Sequence, residues 1–222
     1  MIPLKDDNPT SRFPIMTVLL IIANVAVFVY TDILGMGGKE FFLHYAAIPV
    51  NITSLGAYSG ETPLSAVTTI FTSQFLHGGL FHVGGNMLFL WIFGNNIEDR
   101  LGPIGFLFFY PICGAIAVFA QMLPDPSSQI PMVGASGAIA GVMGAYLLAF
   151  PRARVLTLIW IIFFIRLIWL PAYVIIIYWI FLQVLYQIGS ASQPGGVAYL
   201  AHIGGFAAGL IFYMIFRAFA RN

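Results

Sequence analysis

The stretch VGASGAIAGVMGAYLLAF at residues 133–150 decides the fold class of this chain, because its 18 residues include four glycines and no charged side chain. A helix needs about 20 predominantly apolar residues to cross roughly 30 Å of hydrocarbon. The flanking charges, Asp125 and Arg152, enclose 26 residues, and a loop at 126–131 occupies the first part of that interval. The remainder is predicted to be a Gly-rich membrane span.

The same spacing between charges recurs along the chain and predicts further spans. The six predicted spans are about 17–30, 79–93, 101–124, 133–150 and two more between Arg166 and Arg217. A turn at 188–196 joins the last two. Residues 155–165 would measure only about 17 Å as a helix, so an interfacial or re-entrant segment is predicted there in preference to a seventh span. The predicted fold class is an all-α polytopic membrane bundle of six transmembrane helices, in a single domain at 1–222.

The composition excludes other classes of protein. The chain of 222 residues is 60% hydrophobic and 8% charged, whereas a soluble domain carries about 25% charged residues. High apolar content with a net charge of +1 excludes a disordered chain. No basic stripe is present, so nucleic acid is not an expected partner. The single cysteine, Cys113, cannot form an intrachain disulfide or a multi-thiolate metal site.

The positions of Lys and Arg predict the orientation, since these residues are enriched in cytoplasmic loops. With six spans, eight of the nine fall on the side of both termini, and only Lys39 falls on the other. Those eight are Lys5, Arg12, Arg100, Arg152, Arg154, Arg166, Arg217 and Arg221. Both termini are therefore expected in the cytoplasm. The sequence shows no targeting extension, which favours a prokaryotic plasma (inner) membrane. The long, largely uncharged first loop, about 34–78, is expected to lie against the membrane or to pack into the helices.

Polar side chains inside a bilayer are costly, so each is a candidate functional residue. His82 and Asn86 lie four residues apart, on one face of the second span. Ser136 lies just inside the fourth span and His202 just inside the sixth. Spans two, four and six enter the membrane from the same side, so these four side chains are expected at a similar shallow depth.

This set of residues predicts acyl transfer. A base within about 3 Å activates a serine hydroxyl, and His202 is the histidine placed to reach Ser136 from a facing helix. No Asp or Glu lies near these helix ends, so a Ser–His dyad is predicted rather than a triad. The backbone N–H of Ser136, the side chain of Asn86 and the ring of His82 are the candidate oxyanion-hole donors. With water as the acceptor, the reaction is hydrolysis.

Each of these residues also has a simpler interpretation. A lone serine in a membrane helix usually bonds to its own turn, and Gly-x-x-x-Gly is usually a packing face. Two such faces, Gly137–Gly141 and Gly205–Gly209, follow Ser136 and His202. Close helix packing and a Ser–His hydrogen bond are compatible, because glycines let short side chains meet.

Two other functions compete with hydrolysis. A metal site of His77, His82 and His202 would lack an accompanying carboxylate or thiolate, and the five-residue step between the first two does not suit a zinc helix. No metal or other cofactor is therefore expected. A carrier or channel would normally hold a charged residue at mid-depth in the membrane, and the six spans show none.

The ordered motifs resemble those of the rhomboid family of intramembrane serine proteases. They are Gly134-Ala-Ser-Gly137, Ala201-His-Ile-Gly-Gly205 with Gly209, His77-x4-His82-x3-Asn86, and Glu98-Asp-Arg-Leu-Gly102. The resemblance covers about residues 12–217. Each motif is weak alone, but the ordered set is highly specific.

The resemblance implies a role for each matching residue. Ser136 would be the nucleophile and His202 its general base, with His82, Asn86 and the Ser136 amide at the oxyanion hole. Gly134, Gly137, Gly141, Gly205 and Gly209 would keep the site open and its helices close. Glu98 and Arg100 would be structural, while Trp179 and Phe181 in the fifth span would flank the substrate's entry route.

The expected partners are transmembrane protein substrates within the lipid bilayer, and the sequence does not indicate an oligomeric state. One departure from the family pattern is Ala140, since several members place an aromatic residue there that stacks on the catalytic histidine. The sequence therefore leaves open what orients His202. A catalytically inactive, client-binding relative and a small channel or carrier are the alternative functions.

Overall fold

The structure, a computed structural model, describes residues 1–161, 163–190 and 196–219 and is mostly helical. In this part of the chain the α-helices are α1 (Ile15–Phe28), α2 (Gly38–Tyr45), α3 (Pro49–Thr53), α4 (Pro63–Thr72), α5 (Leu80–Phe89), α6 (Asn95–Met122), α7 (Ser136–Ala149), α8 (Ala172–Ser190) and α9 (Tyr199–Phe219). Short π-helical turns, Val29–Ile33 and Leu90–Gly94, extend α1 and join α5 to α6. The turn expected at 188–196 lies mostly outside the described residues, and 188–190 belong to α8.

Candidate membrane spans follow from helix length and composition. In the described ranges four helical runs are long and apolar enough to cross a membrane: Ile15–Ile33, Leu80–Met122, Ala172–Gly189 and Tyr199–Phe219. The second run has 43 residues and contains the second and third predicted spans. It breaks at Gly102, whose φ of 73° is favourable only for glycine. The fourth predicted span coincides with α7, which has only 14 residues.

The expectation of an all-α chain is wrong in one region. β2 (Arg154–Ile161) and β3 (Phe164–Pro171) form an antiparallel hairpin, and β1 (Ile2–Asp6) pairs with β2 to complete a three-stranded sheet. The segment predicted as interfacial or re-entrant is thus largely a strand, and it is not a seventh helix. Its Val, Ile, Thr, Trp and Phe residues favour extended structure, and β1 and β3 supply hydrogen-bond partners for the backbone of β2.

Helix α7 lies at the centre of the fold, and residues 137–146 are all buried. Its glycine face contacts α9 so closely that a methyl group added at Gly205 would strike the carbonyl oxygen of Gly137. At Gly209 it would strike the carbonyl oxygen of Gly141. On another side of α7, a methyl group at Gly137 would lie 2.5 Å from the Ala117 side chain of α6. The glycines therefore bring the backbones of α7 and α9 into contact and let α6 pack closely on α7.

The helices place two sets of residues at opposite ends of α7. At its beginning, His82 of α5 lies beside Gly134, and Gln121, near the end of α6, accepts a hydrogen bond from the Ala201 N–H of α9. The chain therefore reverses direction between α5 and the end of α6, which accounts for the break at Gly102. At the other end of α7, Tyr146 donates a hydrogen bond to Asp6 of β1 at 2.7 Å.

The region that precedes α5 packs against the helices. Its side chains Ala47, Ile52 and Ile70 form a buried cluster with Val118 and Met122 at the end of α6. Backbone bonds link Ala47 to Met132 in both directions. The expectation that the first loop packs into the helices describes this part of it.

Candidate active site

Ser136 and His202 lie within hydrogen-bonding distance. Ser136 is the first residue of α7 and His202 lies in the first turn of α9, with 2.8 Å between Ser136 Oγ and His202 Nε2. His202 is 8% exposed. The glycine contacts hold α7 and α9 close together beside this pair, so the two side chains meet without any shift of either helix.

The other side of the His202 ring contacts α8. Gln183 Oε1 lies 2.7 Å from His202 Nδ1, and the indole of Trp179 lies 5.5 Å from the imidazole between ring centroids, at 39°. Gln183 is itself buried. The side chain expected to orient His202 is absent at Ala140, which is fully buried in α7. The partners of the ring come instead from the neighbouring helix.

His82 and Asn86 face the residues that precede Ser136. A methyl group placed on Gly134 would lie 2.8 Å from His82 Nε2 and 3.7 Å from Asn86 Nδ2. Gly134 has a φ of 119°, and its N–H donates to the carbonyl oxygen of Ser73 at 2.9 Å. Glycine is required here by its backbone conformation and by the His82 ring. The structure thus brings His82 and Asn86 to the residues beside Ser136.

The hydrogen bonds of His82 and Asn86 define which of their N–H groups are available. The Gly78 N–H lies 3.4 Å from His82 Nδ1 and donates to it, which leaves Nε2 of the neutral ring as the protonated nitrogen. Asn86 Nδ2 donates to His77 Nε2 at 2.9 Å and retains a second N–H. Both remaining donors lie on the side of Gly134.

His77 is a buried residue that forms a hydrogen bond with Asn86. It is 1% exposed. Burial, and to a smaller extent the positive form of His82, lowers the pKa of His77 to about 4. The ring is therefore neutral at neutral pH, so that Nε2 can accept the amide N–H of Asn86.

The beginning of α7 contributes backbone donors. The first N–H groups of a helix have no intrahelical partner, and the helix dipole makes this end favourable for negative charge. Ser136 is the first residue of α7, so its N–H belongs to this set. A small cavity of about 30 Å³ adjoins Ser136, and small residues such as Gly114, Ala117 and Ala201 line part of it.

Two residues of this region were not identified from the sequence as site residues. Gln183 is a polar amide in an otherwise apolar helix, so the cost of burying such a group could have drawn attention to it. His77 was considered only as part of a motif and as a metal ligand. In the described part of the chain, no group of three or more His, Cys, Asp or Glu side chains could hold a metal ion.

Glu98 and Arg100 lie at the opposite end of the molecule. Glu98 is 2% exposed and accepts the N–H groups of Met16 and Thr17, the second and third residues of α1, at 2.9 and 2.7 Å. The Arg100 guanidinium lies 4.9 Å from the centre of the Phe150 ring. Glu98 therefore satisfies the free donors at the start of α1, and Arg100 contacts the residue that follows α7.

Comparisons with known proteins identify relatives of this chain. Rhomboid protein 1, mitochondrial, of Saccharomyces cerevisiae is 30% identical over 155 residues, which are 65% of this chain and 40% of that protein. The putative rhomboid protease YdcA of Bacillus subtilis is 33% identical over 94 residues, 42% of this chain and 44% of its own length. The human presenilin-associated rhomboid-like protein, mitochondrial, is 34% identical over 101 residues, 44% of this chain and 27% of its own length.

The chain thus matches less than half the length of each of these relatives. The family comparison covers more of the chain, because the rhomboid domain matches residues 64–219 and so includes α5 to α9 with the candidate site residues His77, His82, Asn86, Ser136, Gln183 and His202. The candidate spans and these relatives make the chain a multi-pass membrane protein. The chain belongs to the rhomboid family.

Proposed function

We propose that this chain is an intramembrane serine endopeptidase that cleaves transmembrane helices of other membrane proteins near their outer ends. The observation that carries the proposal is the 2.8 Å distance between Ser136 Oγ and His202 Nε2. A serine hydroxyl that donates to an imidazole nitrogen can lose its proton as it attacks a carbonyl carbon. In this proposal the two residues form a dyad.

The reaction would follow the steps of acyl transfer. Ser136 Oγ attacks the carbonyl carbon of the scissile peptide bond while His202 Nε2 takes the hydroxyl proton. The tetrahedral intermediate collapses, the carbon–nitrogen bond breaks, and His202 gives its proton to the leaving amine. Water then attacks the acyl-serine ester with His202 as the base again. This step releases the second product and restores the serine hydroxyl.

The oxyanion of the intermediate needs donors that are already in place. The proposed donors are the backbone N–H of Ser136, the Nε2–H of His82 and the second amide N–H of Asn86. Their support is the proximity of both side chains to Gly134 and the hydrogen bonds that orient them. His77 acts through Asn86 and is proposed as a positioning residue.

The proposed setting is a prokaryotic plasma (inner) membrane, crossed six times, with both termini in the cytoplasm. The supports are the charge asymmetry of the sequence and the helices at all six predicted positions. In this orientation Ser136 lies near the outer surface, where water can reach it. A helix shields its own peptide bonds, so preferred substrates should contain residues that weaken helices. The small cavity beside Ser136 favours a small residue before the cut.

The proposal predicts cleavage of a tagged transmembrane substrate by the purified chain in detergent or liposomes. Ser136→Ala and His202→Ala should each lower kcat by several orders of magnitude, because losing a nucleophile or base has this effect in serine proteases. A chelator should have no effect. Substrates with Gly or Pro near the cut should be cleaved faster than a rigid poly-Leu helix.

Two results would overturn the proposal. Cleavage that survives Ser136→Ala would exclude this nucleophile. A folded wild-type chain that cleaves none of a varied substrate panel, yet binds its members, would favour a client-binding function.

A further inference from the structure

The hydrogen bonds of Gln183 determine which nitrogen of His202 carries the proton. Gln183 Nε2 donates to the backbone carbonyl oxygen of Trp179 at 3.3 Å. A carbonyl oxygen only accepts, so this bond fixes the orientation of the amide and leaves Oε1 as the atom 2.7 Å from His202 Nδ1. Because Oε1 also only accepts, His202 Nδ1 must carry the hydrogen.

We infer that Gln183 is a positioning residue that holds His202 as the Nδ1–H tautomer, so that Nε2 is free to accept the proton of Ser136. The inference rests on the proposed function. In the Ser–His–Asp arrangement a carboxylate holds the base in this tautomer. Here a neutral amide occupies the corresponding place. It gives the same orientation with less stabilisation of the imidazolium, since a charge-assisted hydrogen bond is roughly twice as strong.

The same contacts orient the His202 ring without an aromatic residue at position 140, where this chain has Ala140. The ring of His202 has the indole of Trp179 at 5.5 Å and the amide of Gln183 at 2.7 Å. Both belong to α8 and lie one helical turn apart. Helix α8 therefore orients the base, in place of a side chain on α7. Any displacement of α8 would change the tautomer and direction of His202.

A purely structural bond between α8 and α9 is the competing explanation, and kinetics can separate the two. With the full chain and one model substrate, Gln183→Leu should lower kcat by about 10-fold to 1,000-fold, less than the 10⁴ lost when a triad aspartate becomes an amide. KM should change less than about twofold, since uniform binding is untouched. Gln187→Leu, the same change one turn further along α8, is the matched control and should keep the wild-type kcat.

Gln183→Glu provides a readout that a structural role would not move. The carboxylate accepts the same Nδ1–H and stabilises the imidazolium, so the acidic limb of the kcat–pH profile should shift to higher pH while activity is retained. The other titratable rings around His202 are Tyr199, at 6.5 Å between ring centroids, and His82. Both are unchanged in every variant.

A measurement without substrate separates this inference from the proposed function. Nitrogen-15 NMR of the histidine rings, with His202→Ala to assign the signal, should show a protonated Nδ1 and a bare Nε2 in the wild type. Gln183→Leu should mix the tautomers. A wild-type ring protonated on Nε2, or an unchanged kcat in Gln183→Leu, would overturn the inference even if Ser136 proves to be the nucleophile. Conversely, an inactive wild type with the Nδ1–H tautomer would refute the proposed function alone.

Discussion

At the scale of residues, the candidate site depends on neighbouring groups that orient its side chains. Gln183 contacts His202, His77 contacts Asn86, and the Gly78 N–H contacts His82. The spacing of Ser136, His202, His82 and Asn86 indicated from the sequence which side chains would meet, because helical periodicity and span direction set their depth. The contacts of Gln183 and His77 depend on how helices rotate against each other, which charge spacing does not determine.

The link between His77 and Asn86 predicts a double-mutant cycle. Asn86→Ala removes a proposed oxyanion donor and should lower kcat by about 10²–10³. His77→Ala should lower it less, by about 10-fold, because the Asn86 amide stays but loses its anchor. In the Asn86→Ala background, His77→Ala should have almost no further effect on kcat. If the kcat losses of the two single variants add fully in the double variant, His77 does not act through Asn86.

At the scale of elements, the contact between α7 and α9 sets the geometry of the site. An added methyl group at Gly209 would meet the carbonyl oxygen of Gly141. Gly209→Ala should therefore push the helices apart and destabilise the fold by about 1–3 kcal/mol, the usual cost of overpacking. Thermal unfolding in detergent measures this, and kcat should fall as Ser136 and His202 separate.

The matched control for this substitution is Gly189→Ala. It lies on α8, where an added methyl group would meet nothing within 4 Å, and it should leave the melting temperature near the wild-type value or raise it slightly. Equal melting temperatures for Gly209→Ala and Gly189→Ala would contradict the close contact between α7 and α9.

The strands show where element-level prediction failed. The sequences RVLTLIWI and FIRLIWLP are apolar on both faces, so they lack the alternation that distinguishes a half-buried strand. The strand β1, which pairs with β2, lies about 150 residues away in the chain, and a local pattern does not reveal such pairing. The long helices could be predicted because the gaps between charges were long enough for one or two helices that cross a bilayer.

At the scale of the whole molecule, the sheet holds the N-terminal segment at the end opposite Ser136. The Asp7 carboxylate accepts two hydrogen bonds from Arg154, one from the backbone N–H at 2.8 Å and one from the side-chain Nε–H at 2.9 Å. The backbone N–H of Arg154, followed by its side chain, lowers the pKa of Asp7. Because the folded pKa of Asp7 is lower than its unfolded pKa, the ionised carboxylate stabilises the folded state. This stabilisation is present above the unfolded pKa of about 3.9 and is lost as the pH falls through the lower folded pKa.

Asp7→Asn should therefore be less stable than wild type at pH 7, by about 1 kcal/mol or less for so exposed a pair. The difference should shrink on acidification to about pH 3. Burial, and to a smaller extent the charge of Asp7, raises the pKa of the adjacent Asp6. The effect of burial is common to both proteins, whereas Asp7→Asn removes the repulsion between the two carboxylates and so slightly reduces the stability difference at pH 7. Unfolding curves across this pH range provide the test, and a gap that widens on acidification would contradict the assignment. Cleavage by Asp7→Asn should match wild type, since the site lies at the other end.

The pairing of Ser136 with His202 is tested most directly by covalent labelling of the folded chain with a serine-directed fluorophosphonate, followed by mass mapping of the modified peptide. If the two residues form a dyad, Ser136 is modified in the wild type. Ser136→Ala should show no modification at this position, and His202→Ala should react more slowly by orders of magnitude, while Ser127→Ala, a change at an exposed serine, should be labelled at the wild-type rate. Labelling of another serine, or an unchanged rate in His202→Ala, would contradict the pairing of Ser136 with His202.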